Sequence, residues 1–146
     1  MQPAFSVYLG TNDTNATGNG GTYQLGSGNA LTKLFDQGTN ITTGGVFTAP
    51  VTGRYFFAGG VLALNNTTST EIIITFVSSQ GGVVTKNVRN NRTASSANFG
   101  LGATCFMNMT ASDTVHMQVV VNGNAGNTVT IQGSGDNTWF AGYLVC

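Results

Sequence analysis

The chain has 146 residues, which sizes it for one domain (1–146) able to bury about two-thirds of the surface its unfolded form exposes. Charged residues make up only 7%, five basic and five acidic, while 40% is hydrophobic and 10% aromatic, too much apolar content for a disordered chain. Nucleic-acid binding needs a basic patch, and Lys33, Arg54, Lys86, Arg89 and Arg92 are too few and too scattered to make one.

Along the chain, Met1-Gln2-Pro3 leads straight into Ala4-Phe5-Ser6-Val7-Tyr8-Leu9, without the basic lead-in of a signal peptide. The expectation is a protein made and assembled inside a cell, or a piece of something longer. No run approaches the roughly 20 apolar residues of a membrane span, so membrane insertion is not expected. Apolar and β-branched runs recur, each closed by Gly, Asn, Asp or Pro, and none has helical spacing. They predict strands near 4–9, 31–35, 46–48, 54–64, 71–77, 83–88, 98–109, 114–121, 128–132 and 138–145. Turn chemistry marks Ala49-Pro50-Val51-Thr52-Gly53, Ser78-Ser79-Gln80-Gly81-Gly82 and Thr110-Ala111-Ser112-Asp113. Gly10 to Asn29 and Asn122 to Asn127 read as irregular. About ten short strands and no helix indicate a sandwich or barrel.

Alternation separates two kinds of strand. Val115, Met117, Val119 and Val121 alternate with Thr114, His116 and Gln118, as in a sheet with one wet face. Tyr55-Phe56-Phe57-Ala58-Gly59-Gly60-Val61-Leu62-Ala63-Leu64 is apolar on both faces, and so is Trp139-Phe140-Ala141-Gly142-Tyr143-Leu144-Val145. A sandwich sheet turns one face to its own core, so the other must be covered, and an identical neighbour is the expected cover.

Phe47-Thr48-Ala49-Pro50-Val51-Thr52-Gly53-Arg54-Tyr55-Phe56-Phe57 resembles the signature of the complement C1q globular heads, relatives of the tumour-necrosis-factor jelly rolls. Pro3-Ala4-Phe5-Ser6 is similar to that family's first strand. Ala111-Ser112-Asp113-Thr114-Val115-His116-Met117-Gln118-Val119 is similar to its turn and penultimate strand, and Thr138-Trp139-Phe140-Ala141-Gly142-Tyr143-Leu144 to its closing strand. These four motifs fall in the family's order along the whole chain. The resemblance implies an all-β, ten-stranded antiparallel jelly-roll sandwich with three copies around an axis. It places the two doubly apolar strands in the inner, trimer-facing sheet. Phe5, Tyr55, Phe57, Trp139 and Tyr143 are the expected interface residues. The family's sheet order also sets strand 54–64 between the strands of Cys105 and Cys146. Two strand spacings are roughly 9–10 Å, beyond disulfide reach, so two thiols are expected.

If the first and last strands are antiparallel neighbours, alternation gathers 10–30, 65–70, 89–97 and 122–137 at the end away from the termini. Turns 49–53, 78–82 and 110–113 then fall at the base. Loops on a rigid sheet are where recognition concentrates. Tyr23, Arg89, Arg92 and Asp136 are the expected ligand-binding residues, through stacking or charge-assisted contacts.

Little points to catalysis: no carboxylates lie close in sequence as an acid/base pair, no nucleophile motif appears, and the single His116 reads as solvent-facing. Some family members bind calcium, but the family's acidic loop is reduced here to Gly135-Asp136-Asn137, with Asp13 and Glu71 the other carboxylates near that end. No metal and no cofactor are therefore expected. Asn-X-Thr sequons at Asn12, Asn15, Asn40, Asn65, Asn66, Asn91 and Asn108 arise readily in so Asn- and Thr-rich a chain and do not establish secretion. The reading is a non-enzymatic trimeric binding or structural domain. It is expected on a virion surface, as the head of a phage-type tail fibre recognising a host surface glycan or protein. The alternative is an extracellular C1q-type recognition protein on a collagen-like or coiled-coil stalk.

Overall fold

The computed structural model describes residues 2–80, 97–134 and 137–145, together with the backbone of 86–91. Twelve strands and no helix are found among them. They are β1 (Ala4–Leu9), β2 (Asp13–Thr17), β3 (Thr22–Gln24), β4 (Leu31–Gln37), β5 (Phe47–Thr48) and β6 (Gly53–Leu64). They continue with β7 (Glu71–Ser78), β8 (Lys86–Asn91), β9 (Asn98–Met109), β10 (Thr114–Asn122), β11 (Val129–Ile131) and β12 (Trp139–Val145). Nine of the ten expected strands are present near their expected bounds; the one expected over 83–88 is described from Lys86 and runs to Asn91, with 83–85 outside the described residues, and β2 and β3 are additions inside the stretch expected to be irregular. Asp13-Thr14-Asn15-Ala16-Thr17 carries no apolar alternation, and pairing with β11 holds it extended. The Thr17 hydroxyl adds a tie, donating to the Gly21 carbonyl and accepting from the Val121 amide at 2.9 Å.

All pairings are antiparallel. One sheet runs β9–β6–β12–β1–β4, with β11 following β12 along the same edge of β6 and β2 beyond it. The other runs β3–β10–β7–β8, with β5 beside β3 on one edge of β10. β6 therefore separates the β9 of Cys105 from β12, as expected; Cys146 lies outside the described residues. Cys105 is buried on the inner face of β9, opposite Phe57 in register.

The core fills the space between the sheets, and aromatic rings dominate it. Phe5 stacks on Phe47 at 4.9 Å and meets Phe140 edge-on at 5.0 Å, while Phe47 contacts Tyr55 and Phe57. Such ring contacts add to the ~1.5–3 kcal/mol that burying each large apolar side chain contributes. Close ring packing requires Gly142, because a Cβ there would stand 2.5 Å from the Phe57 ring and 2.9 Å from that of Phe5.

This core overturns three of the expected interface positions. Phe5, Tyr55 and Phe57 are at most 1% exposed within a single chain and face the opposite sheet. Strand residues alternate between faces, so in Tyr55-Phe56-Phe57 the middle residue points out. The buried hydroxyl of Tyr55 is satisfied by donating to the Val51 carbonyl at 2.8 Å.

Candidate functional site

The outward face of the larger sheet is the first surface with functional character. Register places Phe106, Phe56 and Tyr143 side by side on β9, β6 and β12. Their rings are 5.1 and 5.4 Å apart, and Phe106 and Tyr143 remain 58% and 45% exposed. The next row is Thr104, Ala58, Ala141, Ser6 and Phe35, the last half-exposed on the edge strand β4. Beyond it the Trp139 indole lies over Gly60, where a Cβ would come 2.7 Å from its ring nitrogen. Of the five expected interface residues, Trp139 and Tyr143 lie on this face. Phe56 and Phe106 share it and were not anticipated. Across β9, β6, β12 and β1 its outward positions carry one charged side chain, Arg54.

The long loops do gather at one end. Asn66 N donates to the Ala97 carbonyl, Thr70 N to that of Asn122 and Asn124 N to that of Gly18. Side-chain amides add Asn12 Oδ1 to the Gly133 N–H at 2.9 Å and Asn127 Oδ1 to the Asn19 N–H at 3.2 Å. The base forms likewise: Ala49 N donates to the Asp113 carbonyl, Ser79 N to that of Thr114 and Leu144 N to that of Pro3.

Tyr23 is not available to a ligand. It is 5% exposed, and its hydroxyl donates to the buried carboxylate of Asp13, which also accepts from Asn29 Nδ2. Burial, and then the Asp13 hydrogen bond and charge, raise the Tyr23 phenol far above its ordinary range. Tyr23 thus holds β3 to β2, and Asp13 is used inside the fold. Arg92 and Asp136 lie outside the described residues; Arg89 is on β8 opposite Ile73, with its backbone alone described. His116 is half-buried rather than solvated. Its ring nitrogen is 3.0 Å from Gln118 Nε2, and burial lowers its pKa. Among the described residues, no three His, Cys, Asp or Glu side chains assemble a metal site.

At the base lies a pocket of about 440 Å³ that sequence reading missed, lined by Thr52, Arg54, Gln80, Asn108, Thr110 and Val145 among others. Its residues come from three strands and three turns far apart in sequence, so only the fold unites them.

Twelve antiparallel strands in two sheets, with this order and register, can be compared with solved structures. The globular domain of zebrafish complement 1qA protein matches with a TM-score of 0.69, covering 100% of this chain and 98% of that one at 17% identity. The chain has the C1q/TNF-like jelly-roll fold. Murine APRIL matches this jelly roll at a TM-score of 0.66, with 12% identity over 99% of this chain and 100% of that one. Eiger TNF from S. frugiperda matches at 0.62, with 7% identity over 99% and 93%. No protein-family model matches the sequence, and no curated protein is similar to it. Among the described residues, no helix of this jelly roll is long and apolar enough to cross a membrane.

Proposed function

We propose that the chain is a non-enzymatic recognition head that assembles in threes through the outward face of its larger sheet. The exposed row Phe106–Phe56–Tyr143 carries this reading. A cross-strand band of aromatic rings left in water, on strands β9, β6, β12 and β1 whose outward positions carry one charged residue, is the mark of an association surface. Three copies closing a ring through one heterologous contact would remove that band from water. The carboxylates argue for structure rather than chemistry. Asp13 serves Tyr23 and Asn29, Asp36 accepts from Lys33 and the Asn40 N–H, and Asp113 accepts from the Thr110 N–H.

The finer reading is the head of a phage-type tail fibre on a virion surface, attaching to a host surface glycan or protein. A surface of Gly, Asn and Thr with 7% charge supports it. The similarity to the globular domain of a complement protein favours a second reading, an extracellular recognition module on a stalk. Light scattering at micromolar concentration tests assembly: three times the 15.1 kDa chain mass is expected, and a monomer overturns it. Attachment of the purified protein to candidate host cells, against a glycan array and serum proteins, separates the two finer readings.

A further inference from the structure

We infer that the base pocket is an anion-binding site that takes a carboxylate-bearing ligand. Its position is defined by register. Arg54 lies opposite Asn108 on β9 and Val145 on β12, one row beyond the aromatic band and towards the base turns. The pocket of about 440 Å³ has room for a sugar ring or a short peptide end, and opens beside turn residues Thr52, Gln80 and Thr110.

The donor set decides the sign of the ligand. Arg54 is exposed, and its Nε donates to Asn108 Oδ1 at 3.4 Å, while its two terminal nitrogens meet no acceptor among the described residues. Lys33 with Asp36 is the one ion pair among the described residues, so Arg54 meets no carboxylate there. Because Asn108 turns its oxygen to Arg54, its amide nitrogen is left to donate. The Thr52 hydroxyl oxygen already accepts from the Ala111 N–H at 3.0 Å, and that of Thr110 accepts from Gln80 Nε2 at 3.4 Å. Each hydroxyl therefore has its proton available. The nearby carboxylate, Asp113, is engaged by the Thr110 N–H and Gln80 Nε2 and does not line the pocket. What remains is a guanidinium with donors from Asn108, Thr52 and Thr110 beside it, and Val145 as an apolar wall.

A guanidinium presents two parallel N–H groups, the fork that matches a carboxylate. Asn108 and the two threonines can hydrogen-bond the hydroxyl or amide groups flanking that carboxylate. The shared chemistry is a carboxylate beside polar substituents, supplied either by an acidic sugar or by a peptide chain end. The site gives the recognition reading a ligand chemistry and a place. Its lining comes from one chain, and it sits one row from the aromatic band, at the base edge of the face proposed to associate.

Calorimetric titration and ligand-observed NMR would use N-acetylneuraminate for the sugar arm and N-acetylalanine for the peptide arm. The methyl ester of each and inorganic sulfate serve as controls. At least one acid should bind in preference to its ester, and Arg54→Ala should weaken that binding about tenfold or more. Arg54→Lys keeps the charge without the fork and should fall between. Asn108→Ala should weaken binding less than Arg54→Ala. The proposal is overturned if neither acid binds, if the esters bind equally well, if sulfate binds as tightly as both acids, or if Arg54→Ala is without effect. Circular dichroism and light scattering on each variant separate site loss from misfolding. A monomeric wild type that binds an acid refutes the trimer and leaves this site standing. A trimer that binds neither acid does the reverse.

Discussion

Replacing Phe106 with Ala should loosen the assembly and leave the fold intact. Phe106 is 58% exposed in the single chain, so most of its ring is already in water before association. An aromatic side chain carries 150–250 Å², so roughly 100 Å² of Phe106 is available for burial between copies. At ~25 cal/mol/Å² that is about 2.5 kcal/mol per chain, and about 7.5 kcal/mol over three chains. The trimer association constant should then fall by about five powers of ten. Because the half-assembly concentration scales as the inverse square root of that constant, it should rise roughly 300-fold. Sedimentation or light scattering over a dilution series reads this directly. The contrasting variant is Phe57→Ala, whose ring is 0% exposed and should cost about 3–5 kcal/mol of chain stability. The reasoning is refuted if Phe106→Ala keeps the wild-type mass on dilution, or if it lowers chain stability as much as Phe57→Ala.

Gly142→Ala should overpack the core, because its Cβ would stand 2.5 Å from the Phe57 ring; a melting midpoint lower by roughly 5–10 °C is expected, and no change would discount that contact. Tyr23→Phe should cost about 1–3 kcal/mol by taking a donor from buried Asp13. The raised Tyr23 phenol also contributes stability that is fully present below its unfolded value of about 10 and is lost as pH climbs above it. Urea unfolding between about pH 9 and 11.5 should therefore decline less steeply in Tyr23→Phe than in wild type. Cys105 should resist a thiol reagent in the native protein and react once denaturant exposes it; rapid native labelling would contradict its buried place on β9.

The strands were legible where apolar residues recur with turn residues between them. The plainest are β10, which alternates from Val115 to Val121, and the runs Tyr55–Leu64 of β6 and Trp139–Val145 of β12, which are apolar on both faces. β2 was not legible, because its polar residues owe their extended form to β11, more than a hundred residues away in sequence. The direction of each side chain in β6 was illegible for a related reason. When Tyr55, Phe56 and Phe57 are all large and apolar, periodicity cannot say which faces inward, and only the packing of Phe47 and Phe5 against Tyr55 and Phe57 does. Sequence reading could thus identify the strands carrying an association face without naming the residues on it.

The loop end shows the same limit in another form. Loops rich in Asn, Gly and Thr invite a reading as ligand-facing surface, because their side chains offer hydrogen bonds. In this jelly roll many of those hydrogen bonds are internal. Asn12 accepts from Gly133 N, Asn127 from Asn19 N, and Asn124 donates to the Asn65 carbonyl at 3.2 Å. Irregular backbone has no ladder to satisfy its N–H and C=O groups, so short amide side chains do it instead. Composition that suggests recognition is thereby used to hold the loops together. The base pocket shows the converse, since neither Arg54 nor Asn108 stands out in sequence, yet pairing of β6 with β9 leaves the Arg54 terminal nitrogens and the Asn108 amide nitrogen without acceptors among the described residues. A polar group's availability, rather than its abundance, marks where a ligand can be held, and availability is a property of the register.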